Sequence, residues 1–285
     1  EKKEKKKKNE KEKKKNFRFT LTTNGMLLDD KKIRWLNDNN ISVVLSLDGR
    51  QEIHDAMRPD ISGGGSYARV VKNFKNLVDS RSGENYYLRG TYTNRNLDFA
   101  SDVVSMNDAG FDILSVEPVV LKDSPLALTE KDLPRISAEY DRLAEIYLER
   151  RNFNFFHFNV DLNNGPCVAK RLSGCGAGHE YFAVAENGDL YPCHQFVGRG
   201  KYKLGSVFTG VDENSRHWMK YFRDSHVLNK PKCKNCWAKY FCSGGCHANA
   251  DLFHGDIRQP YALGCEIQKK RLESAIYVQA KLSEN

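Results

Sequence analysis

The sequence has no cysteine before position 167, although eight cysteines occur in positions 167–285. It also has no apolar stretch near the roughly 18–20 residues of a membrane-spanning helix, and no apolar core of a secretory signal peptide. These absences argue against a membrane partner and against a secreted disulfide framework. We therefore expect a cytoplasmic protein, in which clustered thiols bind metals more often than they form disulfides.

The basic charge is nearly confined to one segment. Positions 1–15 hold ten Lys and four Glu, so the other 270 residues carry only +2 of the net charge of +8. Such a run is typical of a solvated helix or a disordered tail. The body of the chain lacks a basic stripe, and we expect no nucleic-acid partner.

The segment 17–160 alternates short β-rich runs with longer amphipathic runs, which predicts parallel βαβ units. The predicted strands are Phe17–Thr22, Ser42–Leu47, Tyr86–Thr93, Ile113–Val120 and Phe153–Val160. The predicted helices are Asp29–Asp38, 67–79, Phe99–Ala109 and Leu128–Arg151. Five strands are too few to close an eight-stranded barrel. The prediction is an α/β fold that contains an incomplete parallel (β/α) barrel.

The composition changes after Val160, where turn glycines, short strands and cysteines dominate. A terminal helix is predicted at Glu266–Leu282. We therefore divide the chain into a Lys/Glu-rich helical or disordered segment (1–16), the partial barrel (17–160) and a Cys-rich domain with a C-terminal helix (161–285).

The cysteines follow a two-part pattern. The first part reads C-x12-G-x4-C from Cys175, and the second reads C-x2-C-x5-C-x3-C from Cys233, with Cys167 and Cys265 outside both. One zinc ion bound by the second part is one interpretation. The other is a pair of four-iron clusters, because eight thiols supply two four-thiolate sites. In Cys242-Ser-Gly-Gly-Cys246, the glycines let the backbone pass close to bulky sulfide.

This pattern resembles the SPASM domain of radical S-adenosylmethionine (SAM) enzymes. LTTNG (21–25), VVLSLDG (43–49) and HDAMRP (54–59) are similar to the core of the same family. NYYLRGTYT (85–93), GPCVAKRLSGCG (165–176) and DLYPCHQFVG (189–198) resemble the maturases of SCIFF peptides. The resemblance implies two auxiliary [4Fe-4S] clusters. The implied ligands of the first cluster are Cys175, Cys193 and Cys246, with Cys167 either as the fourth ligand or as a structural or acid/base thiol beside an open iron site. Those of the second are Cys233, Cys236, Cys242 and Cys265.

The resemblance also implies an enzyme. SCIFF maturases join a cysteine sulfur to an α-carbon in a small Cys-rich precursor peptide, with a reductant such as a flavodoxin or ferredoxin. Another SPASM maturase, such as the sulfatase-maturing type, and a non-enzymatic zinc-binding scaffold are the alternatives.

One expected motif is missing. Radical SAM enzymes bind their catalytic [4Fe-4S] cluster, and through it SAM, by a C-x3-C-x2-C motif, and this chain has no cysteine in positions 1–166. The sequence also starts without a methionine, so we expect an N-terminally truncated part of a longer parent. SAM and the catalytic cluster are expected in that parent only, and this chain is predicted to be inactive alone.

Polar residues at the predicted strand ends are the remaining candidates. By resemblance, Ser46, Asp48 and Arg89 line the SAM pocket, although Ser46 and Asp48 also fit a simple turn. Arg89 interrupts an apolar strand, and a buried Arg needs a carboxylate. We favour a protein partner such as Glu117 over the carboxylate of the cofactor.

Overall fold

The computed structural model of the chain describes residues 16–162 and 168–284. The first part alternates strands and helices, as the sequence predicts. The strands are β1 (Thr20–Thr23), β2 (Ser42–Ser46), β3 (Tyr86–Tyr92), β4 (Ile113–Pro118) and β5 (Asn154–Phe155). The helices are α1 (Asp30–Asp38), α2 (Gln51–Met57), α3 (Tyr67–Asp79), α4 (Phe99–Asp108) and α5 (Leu133–Arg150). Only α2 was not predicted.

The five strands form one sheet in chain order, and all neighbouring pairs run parallel. Leu45 of β2 lies opposite Leu88 of β3, which lies opposite Leu114 of β4, and all three are fully buried. Parallel neighbours require crossover connections, which the helices supply. The predicted α/β class with a parallel sheet is confirmed. The carboxyl ends of β1–β4 therefore meet at one edge, where functional side chains collect.

Local sequence explains where the helices begin and which face they bury. Asp29 caps α1, because its carboxylate accepts a hydrogen bond of 2.8 Å from the backbone N–H of Lys32. Helix α3 buries Val70, Phe74 and Leu77, which recur at helical spacing. These faces join the sheet in one large apolar core.

The fifth strand is shorter than predicted. Only Asn154–Phe155 pairs with β4, and a 3-10 turn follows at Phe156–Phe158. A continued strand would send alternate side chains to opposite faces. The turn instead buries both His157 and Phe158 and exposes Phe156. It thereby brings His157 beneath the end of β4.

The second part consists of short elements. Its helices are α6 (Val168–Ser173), α7 (Arg216–Asp224), α8 (Pro231–Lys234), α9 (Lys239–Cys242), α10 (His247–His254) and α11 (Ala262–Ser283). Its strands are β6 (Ala183–Val184), β7 (Asp189–Tyr191), β8 (Gly205–Ser206) and β9 (Gly210–Val211), which form an antiparallel sheet in chain order. A smaller apolar core, with Phe196 and Phe222 fully buried, supports them.

Helix α11 returns to the first core, where Leu263, Ile267, Ala275 and Val278 are buried together with the sheet residues. It begins four residues earlier than predicted, so Cys265 lies in its first turn. None of the helices in 16–162 and 168–284 is long and apolar enough to span a bilayer.

Candidate metal centre and adjoining cavity

Four thiols line one cavity of about 550 Å³, which we call the four-thiol cavity. Its cysteines are Cys233, Cys236, Cys242 and Cys265. They come from α8, the turn after it, the end of α9 and the first turn of α11. Burial raises the pKa of Cys265 to about 11, and the nearby Cys242 and Cys233 add to this rise. Neutral thiols are thus favoured while no positive charge binds here, and a metal would reverse this.

The loop between Cys242 and Cys246 has an unusual backbone. Ser243, Gly244 and Gly245 all have left-handed φ angles of 58°, 84° and 74°. Burial raises the pKa of Cys242, whereas hydrogen bonds from the backbone N–H groups of Gly245 and Gly244 oppose that rise. Glycine adopts such angles without the steric cost of a side chain. The loop therefore directs N–H groups at a sulfur, as a cluster-binding loop requires.

A second group of thiols lies nearby. Burial raises the pKa of Cys193, and the neighbouring Cys246 and Cys175 contribute to the shift. The side-chain N–H of Gln195 donates to Cys246 Sγ at 3.8 Å. Cys246 thus lies beside cysteines from the other half of the sequence pattern, in the grouping that the resemblance implied. Cys167, the fourth predicted ligand here, falls outside the described residues.

The backbone requires a glycine in the first half of the cysteine pattern, C-x12-G-x4-C. Gly188 sits in the turn between β6 and β7 with a φ of 87°. A Cβ atom at this position would lie 2.6 Å from the ring of Phe208. The turn leads through β7 directly to Cys193, which explains why a glycine precedes this cysteine by five residues.

The donor set of the four-thiol cavity fits an iron–sulfur cluster. Four cysteine thiolates are the usual ligands of a [4Fe-4S] cluster. Within the parts of the chain that the structure describes, no group of three or more His, Cys, Asp or Glu side chains has the geometry to hold a single metal ion. The zinc set considered from the sequence would need Cys246, whereas Cys265 is the fourth cysteine in this cavity.

A second cavity of about 570 Å³ connects the sheet to the thiols, and we call it the mouth cavity. It is lined by Arg89, Thr91 and Glu117 at the carboxyl ends of β3 and β4, and by Cys242, Cys246 and Cys265 from the Cys-rich part. Asn249, Gln268 and Arg271 add polar groups. One cavity therefore borders the carboxyl ends of two parallel strands and both groups of thiols.

The predicted Arg89–Glu117 ion pair is not formed. Arg89 is exposed in the mouth cavity rather than buried in its strand, because its side chain is on the face opposite to Leu88 and Gly90. Glu117 has other partners: His157 Nε2 at 2.9 Å and Arg271 Nη1 at 3.3 Å. The described residues offer the Arg89 guanidinium no carboxylate within 4.0 Å, so it remains available to an anionic group.

Glu117 and Arg271 in the wall of the mouth cavity form a polar network with the buried His157. Burial opposes ionisation of Glu117, but the hydrogen bond from His157 and the charge of Arg271 lower its pKa overall. Burial and Arg271 lower the pKa of His157 to about 4. His157 is therefore neutral at pH 7 and donates to the ionised Glu117. The sequence reasoning missed His157 and Arg271, since neither had a distinctive spacing.

Asp48 has a structural role. Its buried carboxylate accepts bonds from Arg58 Nε at 2.6 Å and from the backbone N–H of Thr91 at 3.0 Å. These bonds tie α2 and β3 to the end of β2. Ser46 is half-buried opposite Arg89. Neither Ser46 nor Asp48 lines the mouth cavity.

A family model agrees with this geometry. The SPASM model, described as an iron–sulfur cluster-binding domain, matches residues 175–237. The chain carries a SPASM domain. The matched region contains Cys175, Cys193, Cys233 and Cys236. From beyond it, the structure brings Cys242 and Cys265 to the cavity of Cys233 and Cys236, and Cys246 to the neighbourhood of Cys193. The fold class, with a partial (β/α) barrel before a Cys-rich SPASM domain, is thereby confirmed.

Curated relatives extend the similarity beyond this domain. The cysteine-type anaerobic sulfatase-maturating enzyme of Clostridium novyi (strain NT) is 26% identical over 250 residues, which cover 83% of this chain and 65% of that protein. The serine-type enzyme of Bacteroides thetaiotaomicron is 24% identical and covered to 60% of its length. The chain is homologous to radical SAM maturating enzymes and spans less than two thirds of these relatives.

Solved structures show the same fold. Native anSMEcpe with bound AdoMet superposes with a TM-score of 0.74 at 20% identity, covering 96% of this chain and 76% of that one. Its complex with AdoMet and the Cp18Cys peptide gives 0.75 at 21% identity, covering 99% and 81%.

Proposed function

We propose that this chain is the cluster-binding part of a radical SAM/SPASM peptide maturase of the SCIFF type, which forms thioether bonds in a Cys-rich precursor peptide. The observation that carries this proposal is the mouth cavity. A peptide in it would lie against Thr91 and Glu117 at the sheet and against Cys246 of the Cys-rich part at the same time. That arrangement suits a reaction in which carbon-centred and sulfur-centred groups of one substrate must meet.

In this proposal, Cys233, Cys236, Cys242 and Cys265 hold one auxiliary [4Fe-4S] cluster. Cys175, Cys193 and Cys246, together with Cys167, hold the other. When bound, such clusters accept or donate single electrons and offer iron to a thiolate. The protein's own contribution is to hold the peptide between the two sites, to exclude water and to provide N–H groups to the sulfurs.

Arg89 is our candidate for binding the carboxylate of SAM. Its guanidinium is exposed and has no carboxylate of the described residues within 4.0 Å, and a guanidinium suits a bidentate carboxylate. Ser46 lies beside it in the register. The geometry of Asp48 does not favour a role in this pocket, since Arg58 and Thr91 already occupy its carboxylate. The other partners proposed are the Cys-rich peptide and a one-electron reductant.

The catalytic cluster does not fit this chain. Positions 1–166 contain no cysteine to bind it, so no step is assigned to it here. We expect the reconstituted chain to produce no 5′-deoxyadenosine from SAM. Turnover would contradict this part of the proposal.

A sulfatase-maturing activity is the second candidate, and the curated relatives favour it. The two candidates differ in substrate. A SCIFF-type peptide offers several thiols, whereas the sulfatase-maturating relatives are of a cysteine type or a serine type. The strings around Arg89 and Cys193, which resemble SCIFF maturases, are our reason for preferring the first.

Metal content is the first test. After anaerobic reconstitution with iron and sulfide, we expect a brown protein with broad absorption near about 400 nm and about eight irons per chain. Cys236→Ala and Cys175→Ala should each remove about half of the iron, because they belong to different groups. A colourless chain that binds zinc would support the scaffold alternative instead.

Peptide binding separates the two maturase candidates. Fluorescence anisotropy, measured without oxygen, would compare a labelled multi-cysteine peptide, the same peptide with all Cys replaced by Ser, and a single-cysteine peptide. We expect the multi-cysteine peptide to bind at least about tenfold more tightly than its Ser version, or about 1.4 kcal/mol. Equal binding of all three would contradict the proposal, and preference for the single-cysteine peptide would favour the sulfatase type.

A further inference from the structure

Lys230 occupies an exceptional position in the Cys-rich part. Its side chain is fully buried, with an exposed fraction of 0%. Lysine is almost never buried to this extent unless it is paired. Its ammonium donates a hydrogen bond of 2.9 Å to the carbonyl of Gly244. Across residues 16–162 and 168–284, no carboxylate approaches this ammonium within 4.0 Å.

The neighbours of Lys230 are segments that carry cysteines. Its carbonyl accepts a 2.9 Å hydrogen bond from the backbone N–H of Cys233. A Cβ atom on Gly244, in the loop between Cys242 and Cys246, would lie 3.5 Å from Lys230 Nζ. Burial lowers the pKa of Lys230, whereas thiols of both cysteine groups act against that change. The ammonium thus lies against the loop between Cys242 and Cys246, and the backbone of the same residue is bonded to Cys233.

A buried ammonium costs several kcal/mol when nothing of opposite charge compensates it. Thiolates bound to iron give a cluster with net negative charge, and reduction adds one more electron to it. Because the effective dielectric constant inside a protein is lower than that of water, a nearby fixed cation stabilises the reduced form more strongly than a surface cation does. Charge and hydrogen bonds near the sulfurs are known determinants of cluster potential.

We propose that Lys230 is a positioning residue that raises the reduction potential of the cluster bound by Cys233, Cys236, Cys242 and Cys265. It acts through the cluster and not on the substrate. The couple is a one-electron reduction of the cluster by an external one-electron donor, and no proton is transferred. The inference rests on the proposed function only in requiring a cluster in the four-thiol cavity.

The test is a redox titration of the reconstituted chain with dithionite, followed by the EPR signal of the reduced cluster. Cys193→Ala, which disrupts the other group, assigns the signal. For Lys230→Met we expect the reduction equilibrium constant to fall at least about tenfold, which is about 59 mV toward more negative potential for one electron. Lys230→Arg, which keeps the charge, should have a reduction potential closer to that of the unchanged chain.

Lys232→Met is the matched control. It removes the same charge two residues away, but Lys232 is exposed at the rim of the same cavity. Because water and salt screen an exposed charge, Lys232→Met should barely change the reduction potential of the cluster. If Lys230→Met and Lys232→Met shift the potential equally, burial has no special effect and the inference is wrong.

Iron content separates the possible failures. If the unchanged chain binds no iron, the proposed function fails first. If Lys230→Met and Lys230→Gln bind iron normally and keep the original potential, the inference is overturned while the function stands. If both neutral variants lose iron but Lys230→Arg retains it, the charge is needed for assembly, which contradicts a role limited to potential.

Discussion

The sheet part and the Cys-rich part of this molecule are stabilised in different ways. The sheet part buries large side chains from every layer, including Phe74, Tyr92, Phe99 and Tyr140, in one continuous apolar core. The Cys-rich part has a smaller core, and its strands β6, β8 and β9 are only two residues long. Short strands with little apolar burial provide limited stability by themselves.

The difference shows what the cysteines contribute. In the Cys-rich part, Cys193 and Cys233 are buried, and burial raises the pKa of Cys193, Cys233 and Cys242. Metal binding lowers thiol pKa values and contributes directly to folding. We infer that iron–sulfur ligation replaces part of the missing core in the Cys-rich part, whereas the sheet part depends on packing.

Iron removal should have the largest effect and should separate the two parts. After chelation, we expect amide exchange to rise throughout 175–265, because the segments lose their common ligand. Strands β2–β4 should remain protected, since their core contains no thiol. Hydrogen exchange read by mass spectrometry checks this. Equal loss of protection in both parts would show that they form one cooperative unit.

Truncation of the sheet core should be the next largest effect. Phe99 is fully buried and stacks on Tyr92 with ring centroids 4.4 Å apart. Phe99→Ala should lower the free energy of unfolding by about 3–5 kcal/mol, with iron content per folded chain unchanged. The control is Phe208→Ala, because Phe208 is 82% exposed. Similar losses from both, in urea titrations, would contradict a packing-dominated sheet part.

Acid should weaken the sheet part through His157. Burial and Arg271 lower the pKa of His157 from 6.5 to about 4. Between pH 6.5 and 4, His157 is therefore protonated in the unfolded chain but neutral in the folded chain. Stability should therefore fall as pH decreases from 6.5 to 4, by on the order of 3 kcal/mol. Glu117, whose pKa is lowered from its usual 4.5, adds a further loss of stability below about pH 4.5.

His157→Gln keeps a donor near Glu117 but cannot titrate, and it should flatten the part of this profile between pH 6.5 and 4. Urea titrations across this pH range measure it. The control is His194→Gln, since His194 is exposed. An identical slope in His157→Gln and the unchanged chain would rule out His157 as the source.

Adding a single methyl group to a glycine should have the smallest effect on stability. The size of this effect should differ between the sheet part and the Cys-rich part. A Cβ atom on Gly90 in β3 would lie 2.6 Å from the carbonyl oxygen of Leu47. Gly90→Ala should therefore cost about 1–3 kcal/mol through overpacking. At Gly200 in the Cys-rich part nothing lies within 4 Å of such an atom, so Gly200→Ala should be tolerated. Thermal unfolding of both variants measures this difference, and equal losses of stability would contradict it.

The sequence predicted much of the sheet part, because helix caps and hydrophobic periodicity are local signals. Helix α1 begins one residue after the predicted Asp29, which caps it, and α3 has its predicted bounds. The strand prediction was wrong for most of Phe153–Val160, where an aromatic-rich run fits a strand but the chain turns after Phe155. The failure has a physical cause: the turn buries consecutive aromatic rings against α5 and α11, and that gain depends on packing.

The site was predicted to a different extent for each residue type. Spacing alone indicated thiolate chemistry, and the resemblance supplied a grouping that the cavities now support as a proposal. For Arg89, sequence reasoning predicted a buried ion pair with Glu117, but the strand exposes Arg89 to the mouth cavity and Glu117 pairs with Arg271 instead. Arg271 is more than 150 positions from Glu117, and no local pattern links them.

The sequence by itself determined the alternation of strands and helices, the Cys-rich composition of the second part and the absence of thiols in positions 1–166. These depend on periodicity and residue type, which need no knowledge of distant contacts. Only the tertiary structure showed which thiols share a cavity and that Lys230 is buried beside both groups. It also showed that Arg89 faces the mouth cavity with no carboxylate of residues 16–162 and 168–284 within 4.0 Å. Burial and electrostatic pairing are set by segments that meet only when the chain folds, because desolvation depends on every neighbour that packs around a charge.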